Sequence, residues 1–182
     1  MKAIFDTSSL LAFVRYYLPF DKNGTFKLLL QNKFIKREFE ILDSVISESK
    51  FISQGIILKE LAFLNEKSMH INSKDLIPNA KFFNLLENQF QNKEIRKLKD
   101  INDAEFELEK KRFLSTADAR LILYALSITN LDPIIVTEET KNPNDNKIFK
   151  KIPENCTAIQ IKCCTLPVLF KDYLNLDLSN LL

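Results

Sequence analysis

The heptapeptide Pro133-Ile134-Ile135-Val136-Thr137-Glu138-Glu139, an apolar run that stops at two carboxylates, does more than any other segment to narrow the folds open to this chain. A run with no polar alternation fits a strand buried on both faces, the kind found in parallel sheets covered by helices. Ala3, Ile4 and Phe5 make a shorter run of the same type that stops at Asp6. Phe39, Ile41 and Leu42 suggest a third brief strand, and Thr157, Ile159 and Ile161, alternating with Ala158 and Gln160, predict a last one before Pro167 and a terminal helix.

Helical patterns separate these runs. Thr7, Ser8 and Ser9 can cap a helix through Leu10 to Tyr17, and Phe26, Leu29, Leu30 and Phe34 recur at helical spacing after the break at Pro19 to Gly24. Asp43 and Ser44 read as N-caps of a helix from about Val45, with Gly55 a break before Leu58 to Leu64. Ser115 and Thr116 cap a helix that carries Asp118 in its first turn. Lys141 to Asp145 reads as a polar loop. Strands alternating with helices predict an α/β fold, a parallel sheet with helices on both faces. The 182 residues fit a single domain, 1–182, with Ala80 to Phe113 as a helical insertion of Phe and Leu anchors among dense Lys and Glu. Asn and Lys are abundant throughout, and no mechanism is read from that usage.

Scarce residues exclude whole classes. One histidine, His70, rules out a His-based zinc site and reads as a surface or boundary residue. Two isolated glycines, Gly24 and Gly55, cannot build a phosphate-binding P-loop or a dinucleotide turn. Cys156, Cys163 and Cys164 form no spaced metal pair and read as reduced thiols. The N-terminal residues lack the pattern of a secretory leader, and no window reaches the ~18–20 apolar residues of a membrane span. A cytoplasmic protein with no membrane partner is expected. With 26 Lys+Arg against 24 Asp+Glu, any nucleic-acid surface must be a local patch.

The acids are informative by position. Asp6 and Glu138-Glu139 follow buried strands, while Glu48 and Asp118 lie near helix starts. In an open parallel sheet, ligands bind beyond the carboxyl ends of the strands, where the next helices begin. Acids from four segments therefore point to one edge. Crowded carboxylates persist only if protons or a cation neutralise them, and an oxygen-only donor set favours Mg²⁺ or Mn²⁺. Such an ion supports phosphodiester hydrolysis. Taken singly, each acid has a plainer explanation as a helix cap, a dipole partner or a solvated loop residue.

These residues resemble the motifs of the PIN domain family, the metal-dependent nucleases that include VapC-like toxins. IFDTSSLLAF is similar to the family's opening strand and D-T-[NS] motif, LDSVISE to its V-x-x-E, TADARLILYAL to its D-x-x-[IL]-x-x-x-A, and IIVTEE to its closing T-x-[DE]. YYLPFD and KIPENC resemble segments of one sub-branch. The resemblance implies a three-layer α/β/α sandwich with strand order 3-2-1-4-5, although only four strands are legible here. It also implies a toxin endoribonuclease that pairs with an antitoxin and dimerises through helices. It identifies Asp6, Glu48, Asp118 and Glu139 as the catalytic and metal-binding acids. Glu60, in ILKELAF, competes with Glu48 for the second position, and Glu139 stands where many members have Asp.

The expected mechanism has one Mg²⁺ or Mn²⁺ held by Asp6, Glu48 and Asp118, directly or through water, and Glu139 near a second, weaker ion, with Thr7, Ser8 and Thr116 orienting the acids by hydrogen bonds or simply capping helices. Arg120, Lys141 and Lys147 are the candidate RNA-binding cations. A catalytically silent PIN-like module that binds RNA or protein is the alternative. An aspartyl-nucleophile phosphohydrolase fits less well, because Ser8 stands where that chemistry needs a second Asp.

Overall fold

Continuous apolar strands of four residues can be buried only in the middle of a sheet, and that is where the chain puts them. In the computed structural model, which describes residues 1–141 and 146–176, the strands are β1 (Lys2–Phe5), β2 (Phe39–Leu42), β3 (His70–Ile71), β4 (Pro133–Val136) and β5 (Lys162–Cys164). They form an all-parallel sheet in the order β3-β2-β1-β4-β5. Every residue of β2 and β4 is buried; β4 is apolar throughout, while β2 buries Glu40, whose carboxylate is held by the Tyr124 hydroxyl at 2.8 Å and by Lys2 at 3.1 Å. Two strands are missing from the sequence pattern, β5, which starts only after the stretch expected to be the last strand, and β3. β3 has only two half-buried residues, paired with Ile41 and Leu42, too few to carry any period.

The helices are α1 (Thr7–Tyr16), α2 (Thr25–Ile35), α3 (Asp43–Ser49), α4 (Ile56–Glu60), α5 (Ala80–Leu85), α6 (Lys93–Leu98), α7 (Asp103–Leu114), α8 (Ala117–Ser127), α9 (Ile152–Ile159) and α10 (Leu166–Val168). They surround the sheet as a three-layer α/β/α sandwich. No helix among the described residues is long and apolar enough to cross a membrane.

Two local expectations need correction. Thr157, Ile159 and Ile161 do not form a strand: Ile152–Ile159 is α9, and the last strand begins at Lys162. Pro153 suits a first helical turn, Ile152, Asn155 and Cys156 supply a buried face at helical spacing, and Gln160 ends the helix in the left-handed region at φ 58°. Asp43 and Ser44 do not cap α3, which starts at Asp43 itself. The Asp43 carboxylate instead accepts the Ser73 amide at 2.9 Å, tying the turn after β3 to the sheet edge. The break at Gly55 is as expected: Ser53, Gln54 and Gly55 take φ of 48°, 58° and 72° between α3 and α4. Of the polar loop read over Lys141 to Asp145, residues 142–145 lie outside the described residues.

The insertion is anchored rather than merely solvated. Phe82, Leu86, Phe90, Phe106 and Phe113 belong to the same buried cluster as the strands. Its helices are started by asparagines: Asn79 accepts from Phe82 N, Asn92 from Ile95 N, and Asn102 forms a reciprocal capping box with Glu105. Part of the asparagine usage therefore has a structural role. Lys110, almost fully buried, is held by Glu87 at 2.6 Å and by Glu107, so its charge is compensated where it lies.

Candidate active site

β1 and β4 lie side by side with Phe5 opposite Val136, so the chain emerges from both at one point. Asp6 follows the first strand and Thr137 the second, and both are buried. Asp6 is the N-cap of α1, accepting from the Thr7 amide at 2.7 Å. Its other oxygen accepts from the Ser8 hydroxyl at 2.6 Å and from the Thr137 hydroxyl at 2.8 Å. Ser8 Oγ in turn accepts from Glu138 N at 2.9 Å, and Thr137 Oγ1 from Glu139 N at 3.1 Å. These bonds pin the two strand ends together and fix Asp6 in one orientation. Asp6 therefore caps a helix and faces the site at once.

Glu48 comes from α3, the helix that directly follows β2, and its carboxylate accepts from the Thr7 hydroxyl. Asp118 sits in the first turn of α8, where the helix dipole favours a negative charge. Glu139 accepts the Ile152 amide at 3.1 Å through one oxygen, which fixes the start of α9. Its neighbour Glu138 turns elsewhere and accepts the Leu166 amide at 2.8 Å at the start of α10.

Asp6, Glu48, Asp118 and Glu139 line one cavity of about 250 Å³ together with Thr7, Ser8, Leu11, Ile52 and Lys147. Burial, followed by the charges of Asp6, Glu139 and Glu48, pushes the Asp118 carboxyl up to about 7, against a small opposing effect of Lys147. Glu139 is also raised, mainly by burial and then by Asp6, while the Ile152 amide, Lys147 and Lys151 pull the other way. Asp118 thus feels the charge of the other three acids in a partly dry site, and its carboxyl is the one raised furthest.

The remaining expected site residues divide. Thr7 and Ser8 hydrogen-bond to the acids, as above. Thr116 does not: its hydroxyl caps α8, accepting from Ala119 N at 3.2 Å and donating to Phe113 O at 2.6 Å. Arg120 is directed away, donating to Ser73 O at 3.0 Å and Leu76 O at 3.1 Å, so it braces the turn after β3. Lys141 is exposed and lines no described cavity, whereas Lys147 lines the acid cavity itself. Glu60 is exposed at the end of α4, and Glu48 is the glutamate in the cavity. Thr137 was missing from the expected set as an orienting group. Its signal was the threonine two residues before Glu139.

The donor chemistry suits a hard cation: four carboxylates, no sulfur, no imidazole, and one lysine beside them. Among the described residues no three His, Cys, Asp or Glu side chains are grouped as ready-made ligands. Mg²⁺ needs no such cage, since it binds through one or two carboxylates and keeps much of its water.

No curated protein matches the chain at significant similarity. The model of one family, described as a domain of unknown function (DUF4411), matches residues 4–173, which spans every acid of the cavity. The chain belongs to the DUF4411 family.

Proposed function

We propose that the acid cavity is the active site of a Mg²⁺- or Mn²⁺-dependent endoribonuclease of the PIN type. One observation carries the reading: acids from four remote segments line a single cavity at the carboxyl ends of β1 and β4, where burial, and then the charges of Asp6, Glu139 and Glu48, raise the Asp118 carboxyl to about 7. Carboxylates crowded in a partly dry site are unfavourable until a proton or a cation neutralises them.

Asp6, Glu48, Asp118 and Glu139 would hold the ion, directly or through water. When bound, it supplies Lewis-acid activation of water and offsets charge at a phosphodiester. The chain supplies the rest. Thr7, Ser8 and Thr137 keep Asp6 and Glu48 from rotating away, because each of those carboxylates accepts a hydroxyl hydrogen bond. Glu139 is fixed by the Ile152 amide through only one oxygen, which leaves the other for the cavity. Lys147 brings the positive charge that a phosphate needs next to four acids.

The test is cleavage of mixed single-stranded and structured RNA with Mg²⁺ or Mn²⁺, comparing the native chain with Asp6→Asn and Asp118→Asn. Metal-dependent cutting lost in both variants supports the proposal. If all three proteins bind RNA equally and none cuts it, the silent binding module replaces it. The hydrogen bonds that occupy both oxygens of Asp6 are what favour that second reading.

A toxin role paired with an antitoxin is the cellular form of the same proposal. Induced expression should arrest growth for the native chain and spare it for Asp6→Asn, and co-expression of the adjacent open reading frame should lift the arrest. A homodimer formed through helices is tested by sedimentation.

A further inference from the structure

A second cavity, of about 400 Å³, adjoins the acid cavity and shares Asp118 and Lys147 with it. It lies between the insertion and the segment leading to α9. Its charged lining is Lys99, Arg112, Lys147, Lys150 and Lys151 against Glu109 and Asp118. In a chain whose overall charge is only +2, the described residues of this cleft make a local excess of positive charge.

The details suit a polyanion rather than a compact metabolite. The Lys99 ammonium is held by Asn146 O at 2.6 Å and that of Lys150 by Gln89 O at 2.8 Å. Both partners are carbonyls, so the lysines are positioned without being neutralised. Arg112 is largely exposed and, among the described residues, paired with Glu109. Phe113 and Phe149, with ring centres 4.5 Å apart, form an apolar wall but are each less than a tenth exposed, so neither offers a free face to stack on a base. The cleft can therefore read backbone charge and has little with which to read sequence. Its volume, about 400 Å³, is in the range of small-ligand sites, which suits a short stretch of one strand entering it better than a duplex.

We propose that this cleft seats the phosphate backbone of single-stranded RNA, with Arg112, Lys150 and Lys99 holding phosphates on the side of the scissile bond that faces the insertion. The inference rests on the nuclease reading for its direction, since the strand leaves the acid cavity past Lys147. It also explains the insertion, which contributes Lys99 and Arg112 to a cleft beside an acid cavity whose four acids all lie outside it.

The test is equilibrium binding of a fluorescent single-stranded RNA 12-mer in EDTA, across a salt titration, so that no cleavage is involved. The proteins are the native chain, Arg112→Gln/Lys150→Gln, and Lys22→Gln/Lys27→Gln, which removes the same charge from residues lining neither cavity. The cleft variant should bind about tenfold more weakly and flatten the slope of log K against log salt by ~1.4, that is ~0.7 per lost phosphate contact on a single strand. The control should change neither.

Equal loss in both variants reduces the effect to net charge and overturns the proposal, as does unchanged binding in the cleft variant. Tighter binding of a duplex than of the single strand overturns it too. Thermal melts check folding, and Arg112→Lys/Lys150→Arg should restore the affinity. Because cleavage is assayed separately, a silent protein that still shows the cleft effect would sink the nuclease reading alone, and an active one that lacks it would sink this inference alone.

Discussion

Asp118 sits where its own charge is least welcome. Its carboxyl rises from 3.8 to about 7, so the folded protein holds a proton that the unfolded chain releases. The contribution to stability is therefore neutral below about pH 4 and grows more unfavourable as pH rises from 4 to 7. Above 7 the cost is complete. Asp118→Asn removes the charge and should stabilise the metal-free protein above pH 7 by on the order of 2–4 kcal/mol, with little effect at pH 4. Urea melts at both pH values check this, and equal stability of the two proteins at pH 8 would contradict it. Thr137 works in the opposite direction. Thr137→Val removes a donor to Asp6 and leaves the Glu139 amide without its acceptor, and should cost about 1–3 kcal/mol. Thr137→Ser keeps the hydroxyl and should recover most of that loss. Asp6 and Glu139 were legible because they follow strands and Asp118 because it opens a helix, whereas Glu48, expected near a helix start, sits in the last turn of α3, which begins at Asp43. Thr137's bond to Asp6 and Arg120's turn away were not legible, since they depend on contacts spanning 131, 47 and 44 residues.

At the scale of elements, legibility followed burial. β4 and the last three residues of β1 read directly as apolar runs because both faces are covered, and β2 reads from Phe39, Ile41 and Leu42 around the buried Glu40. β3 is two residues long and half exposed, and so leaves no pattern. The alternation around Thr157 to Ile161 imitated a strand by coincidence: Thr157 and Ile159 lie on opposite sides of α9, whose buried face is Ile152, Asn155 and Cys156, and Ile161 follows the helix end at Gln160. Gly55 was legible as a break, and the structure makes the reason quantitative. It lies at φ 72°, and an added Cβ would approach Lys50 O to 3.3 Å. Gly24, at φ 68°, has open space around the same position. Gly55→Ala should therefore cost more than Gly24→Ala, with the left-handed backbone alone worth ~1–2 kcal/mol at either site. Because Gly55 ends the connection that follows α3, the helix carrying Glu48, Gly55→Ala should also lower RNA cleavage where Gly24→Ala does not. Melting curves and cleavage rates of the two variants test both halves.

For the molecule as a whole, the acid cavity is a stability deficit that ligand binding can repay. A cation that binds only the folded state stabilises it by about 2.7 kcal/mol at a hundred times its Kd. For a chain of 182 residues, that corresponds to a rise in Tm of roughly 5–10 °C. The rise must also depend on pH, because Asp118 has to release its proton before it can serve as a ligand. At pH 6 most molecules carry that proton, so the apparent affinity for Mg²⁺ or Mn²⁺ should be roughly tenfold weaker than at pH 8. Binding near pH 7 should release a fraction of a proton, measurable as a buffer-dependent heat. Asp118→Asn should melt at a higher temperature than the native chain without metal and gain less from adding it. Na⁺ or Ca²⁺ giving the same shift at equal ionic strength would mean screening or a looser oxygen site. A native chain whose Tm ignores Mg²⁺ and Mn²⁺ at pH 8 would leave four crowded acids with no cation to justify them.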